Sequence, residues 1–190
     1  MIISLDLDGV LARFVSEFTQ WINSNYNLAI DSKTIRSFEE ELKTDKRGVD
    51  KKIFEFYQKK GIDGIKPVNG SIEGVKELIR QGNRLIVLTS RSKLVEKETK
   101  EWLSRYFPDL KEFIITDYEN NGRKHYYCEK LKVDCHIDDF PKHAKSIADK
   151  NIKVILLNQP WNLHEEASHP NIERANDWNE IVEKLKARAG

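Results

Sequence analysis

Four short, mainly apolar runs do most to limit what this chain can fold into: residues 2–5, 85–88, 135–137 and 154–157. A segment apolar on successive positions has no face to turn to water, so it suits a strand covered on both sides. Residues 113–115 predict a shorter fifth strand of the same kind. Helical periodicity fills the intervals, over residues 72–80, 94–106, 124–131 and 143–150. Pro141 stands where a first helical turn tolerates a missing N–H. Strand and helix alternate, which predicts the α/β class with a doubly wound parallel sheet.

Residues 14–66 break that rhythm. They carry helical signals over 15–25, 34–43 and 49–60 and no strand, and Ser37 and Glu40 have the spacing of a capping box. Gly61, Gly64 and Pro67 mark the return to the main pattern. The expected organisation is therefore a core domain of residues 1–13 and 67–190, with a small helical cap of residues 14–66 inserted after the first strand. Asp177 is placed to cap a final helix through Ile181, Val182 and Leu185.

Charge narrows the partners. Lysine and arginine number 32 against 31 acidic residues, a formal charge of +1. A protein that binds a nucleic acid polymer or a membrane surface usually shows a basic excess or stripe, so neither partner is expected. A small anion remains possible, because a local site can be positive on a neutral protein. Cys128 and Cys135 lack Cys-x-x-Cys spacing and read as reduced thiols. The sequence opens directly on an apolar strand, with no cleavable leader and no membrane-length run, which predicts a cytoplasmic protein. A monomer and a homodimer are both compatible with it.

In open α/β sheets ligands bind outside the carboxyl ends of the strands. Three of those ends carry reactive groups: Asp6 and Asp8, then Thr89 and Ser90, then Asp138 and Asp139, with Lys124 opening the helix before the last. Each type has work to do in phosphoryl transfer. Magnesium takes one or two carboxylates, which Asp6 and Asp138 can supply. A carboxylate can attack phosphorus and split one hydrolysis into two easier steps. Asp8 can protonate the leaving oxygen and later deprotonate water. Thr89 can donate to a phosphate oxygen, and Lys124 can neutralise charge on the transferring group. Gly9 suits a backbone that turns sharply beside the phosphate.

These segments, Asp6-Leu7-Asp8-Gly9-Val10, Leu88-Thr89-Ser90-Arg91, Lys124 and His136-Ile137-Asp138-Asp139, resemble the four ordered motifs of the haloacid dehalogenase (HAD) superfamily of phosphatases. The resemblance implies a HAD-like Rossmannoid core and a magnesium cofactor. It implies Asp6 as nucleophile, Asp8 as acid/base, Thr89 and Lys124 as phosphate holders and Asp138 as metal ligand. It also implies Asp6 and the backbone carbonyl of Asp8 as metal ligands. Within the superfamily the chain is similar to the 5′(3′)-deoxyribonucleotidase family, on Asp8-Gly9-Val10-Leu11-Ala12 running into Phe14, the Thr89-Ser90-Arg91 turn, Ile137-Asp138-Asp139, and Asn158-Gln159-Pro160-Trp161-Asn162.

Other readings stand beside these. Asp139 is read as orienting the site rather than binding metal. Lys130 competes with Lys124, but it lies at the far end of its helix. Ser90 and Arg91 are either phosphate contacts or helix-start residues. Phe14, Phe18 and Trp21 form a stripe that is either core or a base-stacking wall, and Trp161 shares those alternatives. His125, His136 and His143 are assigned to packing or surface. The expected substrate is a small phosphomonoester, foremost a nucleoside monophosphate. A phosphatase for a sugar phosphate or other metabolite comes second, and a catalytically inactive binding module is the alternative of a different class.

Overall fold

Every apolar run becomes a strand, and all of them pair in parallel. The computed structural model describes residues 1–35, 37–60, 64–116 and 124–189; Gly61, part of the expected return, lies outside them. The strands are β1 (Ile2–Leu5), β2 (Arg84–Thr89), β3 (Glu112–Ile115), β4 (Cys135–Asp138), β5 (Lys153–Leu157) and β6 (Ile172–Ala175). Their order across the sheet is β3-β2-β1-β4-β5-β6. The order reverses between β1 and β4, the switch point where an open α/β sheet forms its crevice. Leu5 pairs with Val87 on one side and Ile137 on the other, so the residues after these strands emerge at one edge.

β6 is the strand that periodicity does not announce. Its sequence Ile172-Glu173-Arg174-Ala175 is half polar because it sits at the sheet edge, paired only with β5. Edge strands keep charged side chains toward water, which erases the apolar run.

The alternating side chains of the strands feed two buried layers. Ile3, Leu5, Val87, Ile137 and Ile155 face one, whereas Ile86, Leu88, Val154 and Leu156 face the other. Helices cover both: α4 (Ser71–Arg80), α5 (Glu96–Tyr106), α6 (Lys124–Lys130), α7 (Pro141–Ala148) and α8 (Trp178–Ala189). Pro141 is at the start of α7, and Asp177 Oδ1 accepts from the Glu180 N–H at 2.9 Å, as a cap should.

Between β1 and α4 lie α1 (Phe14–Tyr26), α2 (Phe38–Glu41) and α3 (Lys46–Lys60). The helix expected over 34–43 shrinks to α2. Asp31 takes the N–H of Lys33 at 2.9 Å in a local turn, and Ser37 caps only from Glu40 onward at 3.1 Å. Such side-chain bonds compete with the helical ladder. Lys43, at φ 48°, then ends it. The chain leaves and returns through paired backbone: Arg13 N–H donates to Lys66 C=O at 2.9 Å and Val68 N–H to Leu11 C=O at 2.8 Å. Among the described residues, no helix is long and apolar enough to cross a membrane.

Candidate active site

Asp6 follows β1 and extends its ladder, its N–H donating to Ile137 C=O at 2.8 Å. One oxygen lies 2.8 Å from Lys124 Nζ, which is also 2.8 Å from Asp138 Oδ2. Lys124 thus bridges the two carboxylates from the first turn of α6. Lys130, at the other end, is exposed. Both oxygens of Asp138 are engaged: the Phe140 N–H donates to Oδ1 at 2.9 Å, and His136 Nε2 meets Oδ2 at 2.9 Å. His136 is fully buried, and its other nitrogen is 2.7 Å from Ser4 Oγ. So this histidine is more than packing; it orients Asp138. The spacing held the clue, because residues two apart on a strand share a face. His143 lines the same crevice with Nδ1 3.6 Å from Asp138 Oδ2, and His125 pairs with Ser146 at 2.9 Å.

The turn after Asp6 is held from outside. Gly9 has φ +82°, and a Cβ there would fall 2.1 Å from Asp139 Oδ2. Only glycine permits that approach. Gln159 Nε2 donates to Gly9 C=O at 2.7 Å, Trp161 Nε1 to Asp139 Oδ2 at 2.8 Å, and Asn162 Nδ2 to Asp139 C=O at 2.6 Å. The segment after β5 is therefore a clamp on the two acidic loops, and Trp161 is its indole hydrogen bond as well as a lining residue.

Thr89 ends β2, and its Oγ1 accepts from the Arg91 N–H at 3.2 Å. Thr116, which sequence reasoning passed over, is buried beside it. Its Oγ1 donates to Thr89 C=O at 3.1 Å and lies 3.2 Å from Ser90 Oγ. A threonine one residue past a predicted strand was the available signal. Arg91 turns inward and grips the carboxylate of Asp8, Nε to Oδ2 at 2.8 Å and Nη2 to Oδ1.

Crowding of like charges sets the electrostatics. Burial pushes the Asp6 carboxyl up to about 6 against the pull of Lys124, with Asp138 adding to the rise. Burial and then Asp138 and Asp6 hold Asp139 well above the carboxylate range. Asp138 ends well below it, because Lys124, His143 and His136 together outweigh its burial. Burial pulls the Lys124 ammonium down, but Asp138 and Asp6 leave it above the ordinary lysine value. Burial lowers His136 and so favours its neutral form. Asp6, Asp138 and Asp139 each offer an oxygen within 4.8 Å of the others. Three buried carboxylates face one ammonium, and hard oxygen donors with surplus negative charge fit a divalent cation such as magnesium.

Asp6, Asp8, Thr89, Ser90, Lys124 and Asp139 floor a pocket of about 320 Å³ whose upper wall mixes apolar Phe14, Ile35, Phe38, Val49, Ile53 and Val95 with polar Ser37, Glu39, Lys46 and Asp50. Phe14 belongs to it and also stacks on Phe18 at 5.2 Å. Phe18 and Trp21 are buried among Phe38, Phe56 and each other and are not among its lining residues. The stripe divides, with one ring on the cavity and two in the core.

A family model described as "5' nucleotidase, deoxy (Pyrimidine), cytosolic type C protein" matches residues 1–189. The chain belongs to this family. A Bacillus cereus protein named "Putative nucleotidase" is 26% identical over 121 residues, 63% of this chain and 61% of that protein. "Putative nucleotidase OB0422" of Oceanobacillus iheyensis is 26% identical over 115 residues, 60% and 58% of the two chains. The match thus spans about three fifths of the length of these curated relatives. A HAD family hydrolase of Deinococcus radiodurans, solved with phosphate and sodium bound, superposes with TM-score 0.67 at 14% identity, covering 99% of this chain and 96% of that one. A predicted phosphatase of Clostridium acetobutylicum gives TM-score 0.67 at 18% identity, with 98% of each chain covered. The nucleotidase family and the fold read from the sequence are borne out.

Proposed function

We propose that this chain is a magnesium-dependent phosphomonoester hydrolase that cleaves nucleoside 5′-monophosphates through an aspartyl-phosphate on Asp6. The observation that carries the reading is the carboxylate of Asp6, buried, held 2.8 Å from Lys124 and facing the same pocket as Thr89 and Ser90. Asp6 attacks phosphorus as the ester P–O bond breaks, and Asp8 gives the leaving oxygen its proton. Water then attacks the aspartyl-phosphate, Asp8 takes its proton, and Asp6 and inorganic phosphate are regenerated. Lys124, Thr89 and Ser90 hold the transferring group. Asp6 and Asp138, with the carbonyl of Asp8, would hold magnesium, and Asp139 lies close enough to join or orient them. When bound, the metal supplies charge neutralisation on the phosphate oxygens.

The substrate class follows from the upper wall. Phe14, Phe38, Val49 and Ile53 present apolar surface to the leaving group beside the polar Ser37, Glu39, Lys46 and Asp50, a mixture that suits a nucleobase, with its apolar faces and polar edge, better than a polyol. Residues 14–66, joined to the rest through the paired crossing at Ala12 and Pro67, act as the cap that supplies this wall. The family description supports a cytosolic setting. Phosphate release from a panel of nucleoside monophosphates and sugar phosphates, with magnesium and with chelator, tests all of this. Sugar phosphates turned over faster than nucleotides would overturn the substrate class, and full activity in chelator would overturn the metal.

A further inference from the structure

Among the buried charged side chains described at the site, Arg91 is the one to which the proposed hydrolysis gives no task. It is almost fully buried, 5% exposed against 26% for its partner Asp8. Its fork spans both oxygens of Asp8, a bidentate grip that fixes the plane of a carboxylate as well as its position. A third nitrogen, Nη1, reaches Thr99 Oγ1 at 3.3 Å, and the backbone N–H is tied to Thr89 Oγ1 at 3.2 Å. The guanidinium carbon also lies 5.5 Å from the ring centres of both Phe14 and Tyr57. These rings come from α1 and α3, and they stack on each other at 6.5 Å. Tyr57 is 3% exposed, and its hydroxyl has no hydrogen-bond partner among the described residues. The ring contributes its face to this contact, while its polar end makes no hydrogen bond there.

We infer that Arg91 is a positioning residue: it fixes the orientation of Asp8 at the pocket, and its seat against Phe14 and Tyr57 ties that orientation to the packing of α1 and α3. The alternatives are a direct phosphate contact or a structural strut. The grip on Asp8 argues against the first, because the Nε–Nη2 edge already meets a carboxylate and Nη1 is turned to Thr99. The strut reading leaves unexplained why the counter-charge to Arg91 is the half-buried acid that lines the pocket, held through both of its oxygens.

The inference rests on the proposed hydrolysis, and the test separates the two. A nucleoside monophosphate leaves as an alkoxide that needs a proton, whereas p-nitrophenyl phosphate leaves as a stable anion. kcat/KM, which ends at phosphoryl transfer to Asp6, should therefore feel the placement of Asp8 for the first substrate only. In the magnesium-loaded full-length protein, Arg91→Met should lower nucleotide kcat/KM by roughly 30- to 100-fold. The aryl phosphate should fall by no more than about threefold. Arg91→Lys, a point charge without the fork, should fall between Arg91→Met and wild type. Asp8→Asn combined with Arg91→Met should be no worse on nucleotides than Asp8→Asn alone, since the two act as one unit. Tyr57→Leu should shift the substrate ratio in the same direction by less. Equal loss on both substrates, weaker inhibition by inorganic phosphate, or a ratio unmoved in every variant would overturn the inference while leaving the hydrolase reading intact. A wild-type protein inactive on both substrates would overturn both.

Discussion

The floor and the upper wall of the pocket are built by different physics. On the floor every side chain is fixed by named partners: Asp6 and Asp138 by Lys124, Asp138 again by His136, Asp8 by Arg91, and Asp139 by Trp161. On the upper wall Phe14, Phe38, Val49 and Ile53 are held by volume, against a cluster of Phe18, Trp21 and Phe56. Charge and hydrogen bonding specify atoms, so one substitution on the floor should remove function outright. Packing specifies shape, so one substitution above should change degree.

The sharpest break is Asp6→Asn. Phosphate release should fall to background while the melting temperature holds, because an amide is a poor nucleophile and metal ligand but keeps the shape; near-normal turnover would end the mechanism. Lys124→Met comes next. It strands two buried carboxylates, Asp6 and Asp138, and removing one partner of a buried pair costs about 3–5 kcal/mol. Denaturant melts should show that loss in chelator and a smaller one in magnesium. A loss the same in both would mean that magnesium does not neutralise this cluster.

On the other side, Phe18→Ala should cost about 3–5 kcal/mol of stability and leave the preference among substrates unchanged. A changed preference would move Phe18 from core to wall. Magnesium should also raise the melting temperature more near pH 7.5 than near pH 5. The sign follows from Asp6 and Asp139. Their carboxyls are raised in the metal-free fold, so the stability they contribute is present below the ordinary carboxylate value and is lost as pH rises through about 6 for Asp6. Asp138, depressed, contributes in the opposite sense and loses its share only in acid. A cation replaces the protons that Asp6 and Asp139 would otherwise hold, so an equal or larger shift near pH 5 would contradict the charge balance. The smallest effect belongs to Ile53→Ala, which should weaken KM for nucleotides by about three- to tenfold, one or two methylenes of contact, and spare p-nitrophenyl phosphate.

The same contrast decides what the sequence discloses. Asp6, Asp8, Thr89, Lys124, Asp138 and Asp139 are legible because each is a reactive type at the end of a strand or the start of a helix, and the structure brings them to one edge. His136 and Thr116 are hidden because their importance lies in which way they face, not in what they are. β6 is hidden because an edge strand carries charge where a central one carries valine. The wall was the least legible part. Phe14 and Phe18 have one spacing, one helix and one chemistry, and only the placement of α3 and the segment before it sends the first to the cavity and the second to the core.

The paired crossing at residues 11–13 and 66–68 has a consequence for how such a molecule can diversify. Exit and re-entry are bonded rung to rung, so the ends of the intervening chain are already closed by the core. The entropic cost of a closed loop grows only with the logarithm of its length, about 0.6 kcal/mol per doubling. The length of chain between those rungs can change at little cost to the closure of the sheet. Changes between those rungs can therefore reshape the wall of the pocket while the pairing that closes the sheet is kept.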